Sequence, residues 1–199
     1  MKIGVLILAA GASQRLGEPK QLLKFEGKTL LRRAAETALA TNSQKVVIVL
    51  GANAEKFGNE VLDLPVEIAV AEDWAIGMSA SIRTGLKKII TIESDLSAVI
   101  LLLCDQPLVT TETITKLISK YRKTKKSIVA SEYNNTIGVP ALFASEMFDR
   151  LFNLQGDSGA RFVIKGNAAS VVKILAPEAA FDIDTSADYE KLIRLNTLL

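Results

Sequence analysis

"KIGVLILAAGASQRLGEPKQLL" spans Lys2 to Leu23. Its first half is an unbroken apolar run that stops at Ala9-Ala10-Gly11. A run with no polar alternation suits a strand buried on both faces, as in a parallel sheet. Its second half presents Gly11, Arg15, Gly17 and Lys20 in quick succession. A turn accounts for one glycine but not for two cations.

Three more runs share the character of the first: "KVVIVLG" (45–51), "PVEIAV" (65–70) and "SAVILLLCD" (97–105). All are read as strands buried on both faces. Segments of helical period separate them. In "KTLLRRAAETALATN" (28–42), Leu30, Leu31, Ala34, Ala35, Ala38 and Leu39 form one apolar face. "SASIRTGLKKIITI" (79–92) is similar, and "TTETITKLISKYRK" (110–123) opens on the threonines and acid that a helix start prefers. Strand alternating with helix predicts an α/β fold with a doubly wound, mostly parallel sheet.

The second half is less regular. "KSIVASEY" (126–133) and "GVPALF" (138–143) read as strands around an "NNTIG" turn, with short helices expected over 145–151 and 159–165. A strand over 169–175 and a capped helix over 185–199 complete the chain. No repeat or linker interrupts it, so one domain over 1–199 is expected.

Composition narrows the chemistry. The chain has 199 residues, a net charge of +2, one cysteine and no histidine. The lone Cys104 forbids an internal disulfide and fits a reducing, cytoplasmic setting. Without histidine, Ser-His-Asp and Cys-His catalysis and histidine-bound zinc are excluded. A metal site would need oxygen ligands, which points to Mg2+. The densest basic run, "KYRKTKK" (120–126), reads as the solvated end of a helix, so no nucleic-acid partner is expected. No run reaches the roughly 20 apolar residues of a membrane span, so no membrane partner is expected. "MKIGVLILAAGAS" is shorter than a signal peptide and runs on into patterned sequence, so it is read as strand and loop.

In doubly wound sheets, ligands bind beyond the carboxyl ends of the strands. The Gly11–Lys20 loop lies there. It is neither G-x-x-x-x-G-K-[ST] nor G-x-G-x-x-G. Its physics still suits phosphate: glycines admit backbone N–H groups, Arg15 offers a planar fork and Lys20 a point charge. The alternative is a surface turn with two solvated cations. Asp105 follows the most apolar strand, where a carboxylate needs a partner or a cation, unless it caps a turn. In "FDIDTSADY" (181–189), Asp182 and Asp184 share a face if the segment is extended. Asp184 could also cap the last helix. Trp74 reads as a packing residue, Cys104 as a small core residue, and Arg32 and Arg33 as helix surface.

These stretches, together with "GKTLLRRAAETAL", "DWAIGMSASIRTGL", "LLLCDQPLV", "GVPALF" and "LQGDSGAR", resemble the nucleotidyltransferases of molybdenum cofactor biosynthesis. The likeness is closest to the molybdenum cofactor cytidylyltransferases and runs nearly end to end. It implies a three-layer α/β/α, Rossmann-like nucleotidyltransferase fold. A nucleotide-binding half would span about 1–108 and an acceptor-binding half about 109–199. It implies transfer of CMP from CTP to the phosphate of the molybdopterin cofactor, with release of pyrophosphate. It also implies transient contact with a molybdenum hydroxylase or its chaperone.

By the same resemblance, Ala9, Ala10 and Gly11 border base and ribose, and Arg15 and Lys20 hold the triphosphate. Ser81 faces the cytosine edge. Asp105 and one of Asp184 and Asp182 bind Mg2+, while Gly156, Asp157 and Arg161 face the acceptor. Leu16 stands where methionine is commoner, and Ser186 where proline often follows the "DIDT" threonine. Guanylyl-transferring relatives tend to carry a second glycine where this chain has Ala10, which favours CTP over GTP. The competing readings are a cytidylyl-, guanylyl- or uridylyltransferase acting on another phosphorylated acceptor such as a sugar phosphate, a non-catalytic carrier, and a dinucleotide-dependent oxidoreductase.

Overall fold

The computed structural model describes residues 1–13, 16–41 and 43–197. The Arg15 expectation therefore lies outside the described residues.

A seven-stranded sheet organises the chain. β1 (Lys2–Ala9), β4 (Lys45–Leu50), β5 (Glu67–Val70) and β6 (Leu96–Leu103) run parallel, with β1 between β4 and β6. Beyond β6 lie β8 (Thr136–Ala144), β7 (Ile128–Tyr133) and β9 (Val171–Leu175), giving the order β5-β4-β1-β6-β8-β7-β9. β8 is antiparallel to both its neighbours, because Asn134 and Asn135, both at positive φ, turn the chain straight back after β7. A two-residue ribbon of β2 (Lys24–Phe25) and β3 (Lys28–Thr29) stands apart.

β1 shows why the runs are continuous. Val5 and Ile7 point into a core shared with Leu31 and Ala35 of α1 (Leu30–Leu39) and Ile114 and Leu117 of α4 (Thr111–Thr124). Leu6 and Leu8 point into the opposite core. There they meet Ile82, Leu86 and Ile89 of α3 (Met78–Ile92), together with Leu151 of α5 (Phe148–Phe152) and Val163 of α6 (Ala160–Gly166). Helices cover both faces, so a three-layer α/β/α architecture results. A short α2 (Ala54–Gly58) follows β4. The expectation for 65–70 needs correction: the strand starts at Glu67, only Ala69 is buried, and Val70 is 50% exposed. β5 is the sheet edge and has one neighbour, not two.

A third, smaller core joins distant parts of the chain. Leu16, Leu23, Phe25 and Leu30 pack with Ile183 and with Leu192 of α7 (Ser186–Thr197). The last helix thus backs the loop that follows β1. The segment leading to it starts at the far edge of the sheet, after β9. The Ala176 N–H donates to the Glu132 carbonyl on β7 at 3.1 Å, and the Ile183 N–H to the Asp105 carbonyl beyond β6 at 2.9 Å. Residues 176–183 therefore cross back over the ends of β7 and β8. Among the described residues, no helix is long and apolar enough to cross a membrane.

Candidate active site

A cleft of about 680 Å³ opens beyond the carboxyl ends of β1 and β6. Its floor is the chain from Leu8 to Ser13, and Leu103, Cys104 and Asp105 form the adjoining wall. One buried side chain fixes the loop after β1. Gln21 is 1% exposed, and its Nε2 donates to the carbonyls of Ala9 and Gly11, each at 2.8 Å. Ser13 adds two links: its Oγ donates to Gln21 Oε1 at 3.3 Å and accepts from the Lys20 backbone N–H at 3.0 Å. Such bonds are obligatory where backbone carbonyls are buried. Gln21 escaped sequence reasoning. The available signal was a polar residue placed directly before the apolar pair Leu22-Leu23.

Lys20 projects into the cleft mouth. Its Nζ lies 2.5 Å from Asp105 Oδ2, 3.4 Å from Asp184 Oδ1 and 3.4 Å from the Ile183 carbonyl. Burial disfavours the ammonium, but attraction from Asp105 and Asp184 outweighs it and raises the pKa above the usual lysine value. Asp105 Oδ1 is buried and has no hydrogen-bond partner among the described residues. A buried carboxylate oxygen left this way is a site for a cation or a donor from a ligand. Asp184 lines the cleft beside it. Asp184 does not cap α7; Thr185 does. The Thr185 hydroxyl accepts from the Asp188 N–H at 3.3 Å, while the Asp188 carboxylate accepts from the Thr185 N–H at 3.0 Å.

Asp182 stands near enough to Asp105, Asp184 and Lys20 to feel their charges. It is exposed and does not line the cleft, and desolvation of its carboxyl group together with the charge of Asp105 raises its pKa. A hydrogen bond from Gln106 opposes that rise. Among the described residues, no three metal-ligating side chains converge. The oxygen-only set of Asp105 and Asp184, with the unpartnered Oδ1, fits a hard divalent cation completed by ligand oxygens.

The opposite wall comes from the start of α3 and the segments flanking it. Trp74, Met78 and Ser81 line the cleft with Asp157. A Cβ on Gly51 would lie 2.7 Å from Trp74 Cγ, so the indole packs directly on that glycine. Gly77 sits at φ +129°, and a Cβ there would fall 2.6 Å from the Gly156 carbonyl oxygen and against Asp157 Oδ1. That close approach, with the Ser79 N–H donating to the Gly156 carbonyl at 3.2 Å, joins the two segments of this wall.

The structure therefore gathers Ala9, Ala10, Gly11, Lys20, Ser81, Asp105, Asp157 and Asp184 around one cleft. Gly156 and Arg161 do not line it, and Arg161 is exposed, with its guanidinium near Gly138. Trp74 and Met78 are cleft residues that sequence reasoning did not place. Arg32 forks Asp63 at 2.8 and 2.7 Å, and Arg33 lies over the Phe25 ring, so neither reaches the cleft. Burial pushes the Cys104 thiol up to about 12, which leaves it protonated and inert.

A doubly wound sheet with a cleft at its carboxyl edge, a polar loop after β1 and carboxylates beyond β6 defines a nucleoside-triphosphate transferase fold. The chain belongs to the family described as the MobA-like NTP transferase domain, whose model matches residues 5–172. It is 39% identical over 126 residues to the nicotine blue oxidoreductase of Paenarthrobacter nicotinovorans, a match spanning 63% of this chain and 60% of that protein. Nearly end to end, 96% of each chain, it is 28% identical to the purine catabolism protein PucB of Bacillus subtilis. The structure of Rv0371c from Mycobacterium tuberculosis in complex with manganese is similar at a TM-score of 0.81 and 25% identity, over 98% of this chain and 99% of that one.

Proposed function

We propose that this nucleotidyltransferase moves CMP from CTP to the terminal phosphate of the molybdopterin cofactor and releases pyrophosphate. The observation that carries the reading is the Lys20–Asp105–Asp184 group at the mouth of the cleft, with Asp105 Oδ1 lacking a partner among the described residues. The manganese in the Rv0371c structure supports a divalent metal in this fold. Asp105 and Asp184 would hold it, and the metal would neutralise phosphate charge.

An acceptor phosphate oxygen forms a bond to the α-phosphorus of CTP in line with the bond to the leaving pyrophosphate, which breaks. The phosphate dianion is already a nucleophile, so no general base is required. Lys20 exchanges its carboxylate partners for phosphate oxygens and, with Arg15, absorbs charge as pyrophosphate leaves. Ala10, which lines the cleft, narrows it toward a pyrimidine, and Ser81 faces the cytosine edge. Asp157 would meet the acceptor from the opposite wall, with Gly156 and Arg161 beyond it.

The test is incubation with molybdopterin cofactor, Mg2+ and each nucleoside triphosphate in turn, with pyrophosphate assay and mass spectrometry of the product. A cytidylylated pterin is expected. A guanylylated product, or turnover only with a sugar phosphate, overturns the reading. Lys20→Ala should lower turnover roughly 10²-fold, the scale of one lost transition-state contact. Asp105→Ala should abolish turnover in a folded protein. The name of the first relative favours a second reading, a dinucleotide oxidoreductase. The lack of G-x-G-x-x-G argues against it, and an absorbance titration with NADPH decides.

A further inference from the structure

Arg83 belongs to no site described so far. It lies on α3, one turn beyond Ser79 and on the same face. Its Nη1 donates to the Leu154 carbonyl at 2.6 Å and to Ser79 Oγ at 3.2 Å, and its Nη2 lies 3.6 Å from the Asp73 carboxylate. Leu154 opens the loop that carries Asp157 to the cleft, and Asp73 directly precedes Trp74. One guanidinium thus touches both segments that build the wall opposite Lys20. The backbone contact of Gly77 with Gly156 closes the same junction from the cleft side.

We propose that Arg83 is a positioning residue: it holds the 154–159 loop against α3 and so sets where Asp157 stands on the acceptor side of the cleft. It acts through the Leu154 carbonyl and does not line the cleft itself. Leu154 packs into the core, but the loop has few other hydrogen-bonded ties. Among the described residues, the turn and loop backbone bonds that tie 154–159 to the rest of the chain are Leu154 to Leu151, Ser79 to Gly156 and Phe162 to Gly159. A charged donor on a carbonyl is therefore a large share of its hydrogen bonding. Arginine suits the position because its planar fork serves Leu154, Ser79 and Asp73 together, which an ammonium cannot do.

The loop part stands independently of the acceptor; the kinetic part rests on the proposed cytidylyl transfer. The experiment compares wild type, Arg83→Met and Arg83→Lys by hydrogen exchange of the peptide spanning 153–160. Arg83→Met keeps the apolar stem and removes the donors. It should raise exchange of that peptide by roughly 10-fold or more, while β1 and β6 stay protected. Arg83→Lys, which still donates to Leu154, should restore most of the protection. Unchanged exchange in Arg83→Met overturns the proposal, and so does loss of protection throughout the sheet, which would make Arg83 a general stability residue. In steady state, Arg83→Met should raise the acceptor KM about 10-fold with the CTP KM unchanged. A wild type inactive with CTP and molybdopterin would sink the transfer reading, while the exchange result would still decide the role of Arg83.

Discussion

Replacing Lys20 with methionine removes a cation and keeps the length of the side chain. Lys20 and Asp105 are 17% and 15% exposed and stand 2.5 Å apart. At an effective dielectric of about 20, two unit charges at that distance attract by about 7 kcal/mol before desolvation. Partial burial of both ions takes several kcal/mol back, leaving a coupling on the order of 2 kcal/mol. Methionine also leaves Asp105 with both carboxylate oxygens unmatched, one of them already so. The expected loss of stability is about 3 kcal/mol for Lys20→Met, against about 1 kcal/mol for Asp105→Asn, which leaves Lys20 its contact with Asp184. In the double variant the losses should fall short of the sum by about 2 kcal/mol. Urea denaturation measures these differences; for a chain of this size, 3 kcal/mol corresponds to roughly 6–12 °C in Tm. The pH dependence has a definite sign. Folding raises the lysine pKa, so the stabilisation is complete below the ordinary lysine range and is lost as pH rises through the raised value. The gap between wild type and Lys20→Met should close only in strong alkali. Additivity of the two substitutions within about 0.5 kcal/mol would show that the pair is not an energetic unit.

Gly77→Ala places a methyl group against the Gly156 carbonyl at a φ that alanine avoids, and should cost about 2–4 kcal/mol, read as a fall in Tm. Gly156→Asn is the control: its φ of +55° suits asparagine and its Cβ would meet nothing within 4 Å, so the cost should stay below about 1 kcal/mol. Cys104 should resist iodoacetamide at pH 8 in the native protein and react fully in urea, by mass spectrometry of the alkylated chain. Ala10→Gly should shrink the proposed preference for CTP over GTP by about 10-fold in kcat/KM, the scale of one methyl in a binding pocket; an unchanged ratio removes Ala10 from base selection.

What was legible in the sequence follows from burial. β1, β4 and β6 each have a neighbour on both sides and helices on both faces, so nearly every position is apolar and the strands announce themselves. β5 is covered on one edge only, and its apolar run overstated its burial, since so short a run fits a half-covered edge strand as well as a central one. The reversal of β8 was readable only as a turn, because Asn134-Asn135 marks a hairpin without saying which strands it will lie between. Lys20 and Asp105 could be placed because each follows a strand end, where this architecture puts its ligands. Trp74, Gln21 and Arg83 could not. Their importance comes from contacts to Gly51, to two loop carbonyls and to Leu154, and no local pattern encodes a partner so far along the chain. The pairing of Asp182 with Asp184 assumed an extended segment. The chain there forms no strand, but Ile183 alone is buried between the two carboxylates, the alternation that assumption requires.

The return of residues 176–183 across the sheet bears on synthesis. Three strand spacings, roughly 14 Å at about 4.8 Å each, separate β9 from β6. Lys20 and Asp105 leave the ribosome early, but the grouping they form with Asp184 closes only after β9 has added to the sheet edge and the chain has come back over it. Leu192 then locks Ile183 against Leu16 and Leu23. A nascent or C-terminally clipped chain could hold the central strands and still lack the closed mouth of the cleft. A segment made after the sheet thus serves as the latch on a loop made before it.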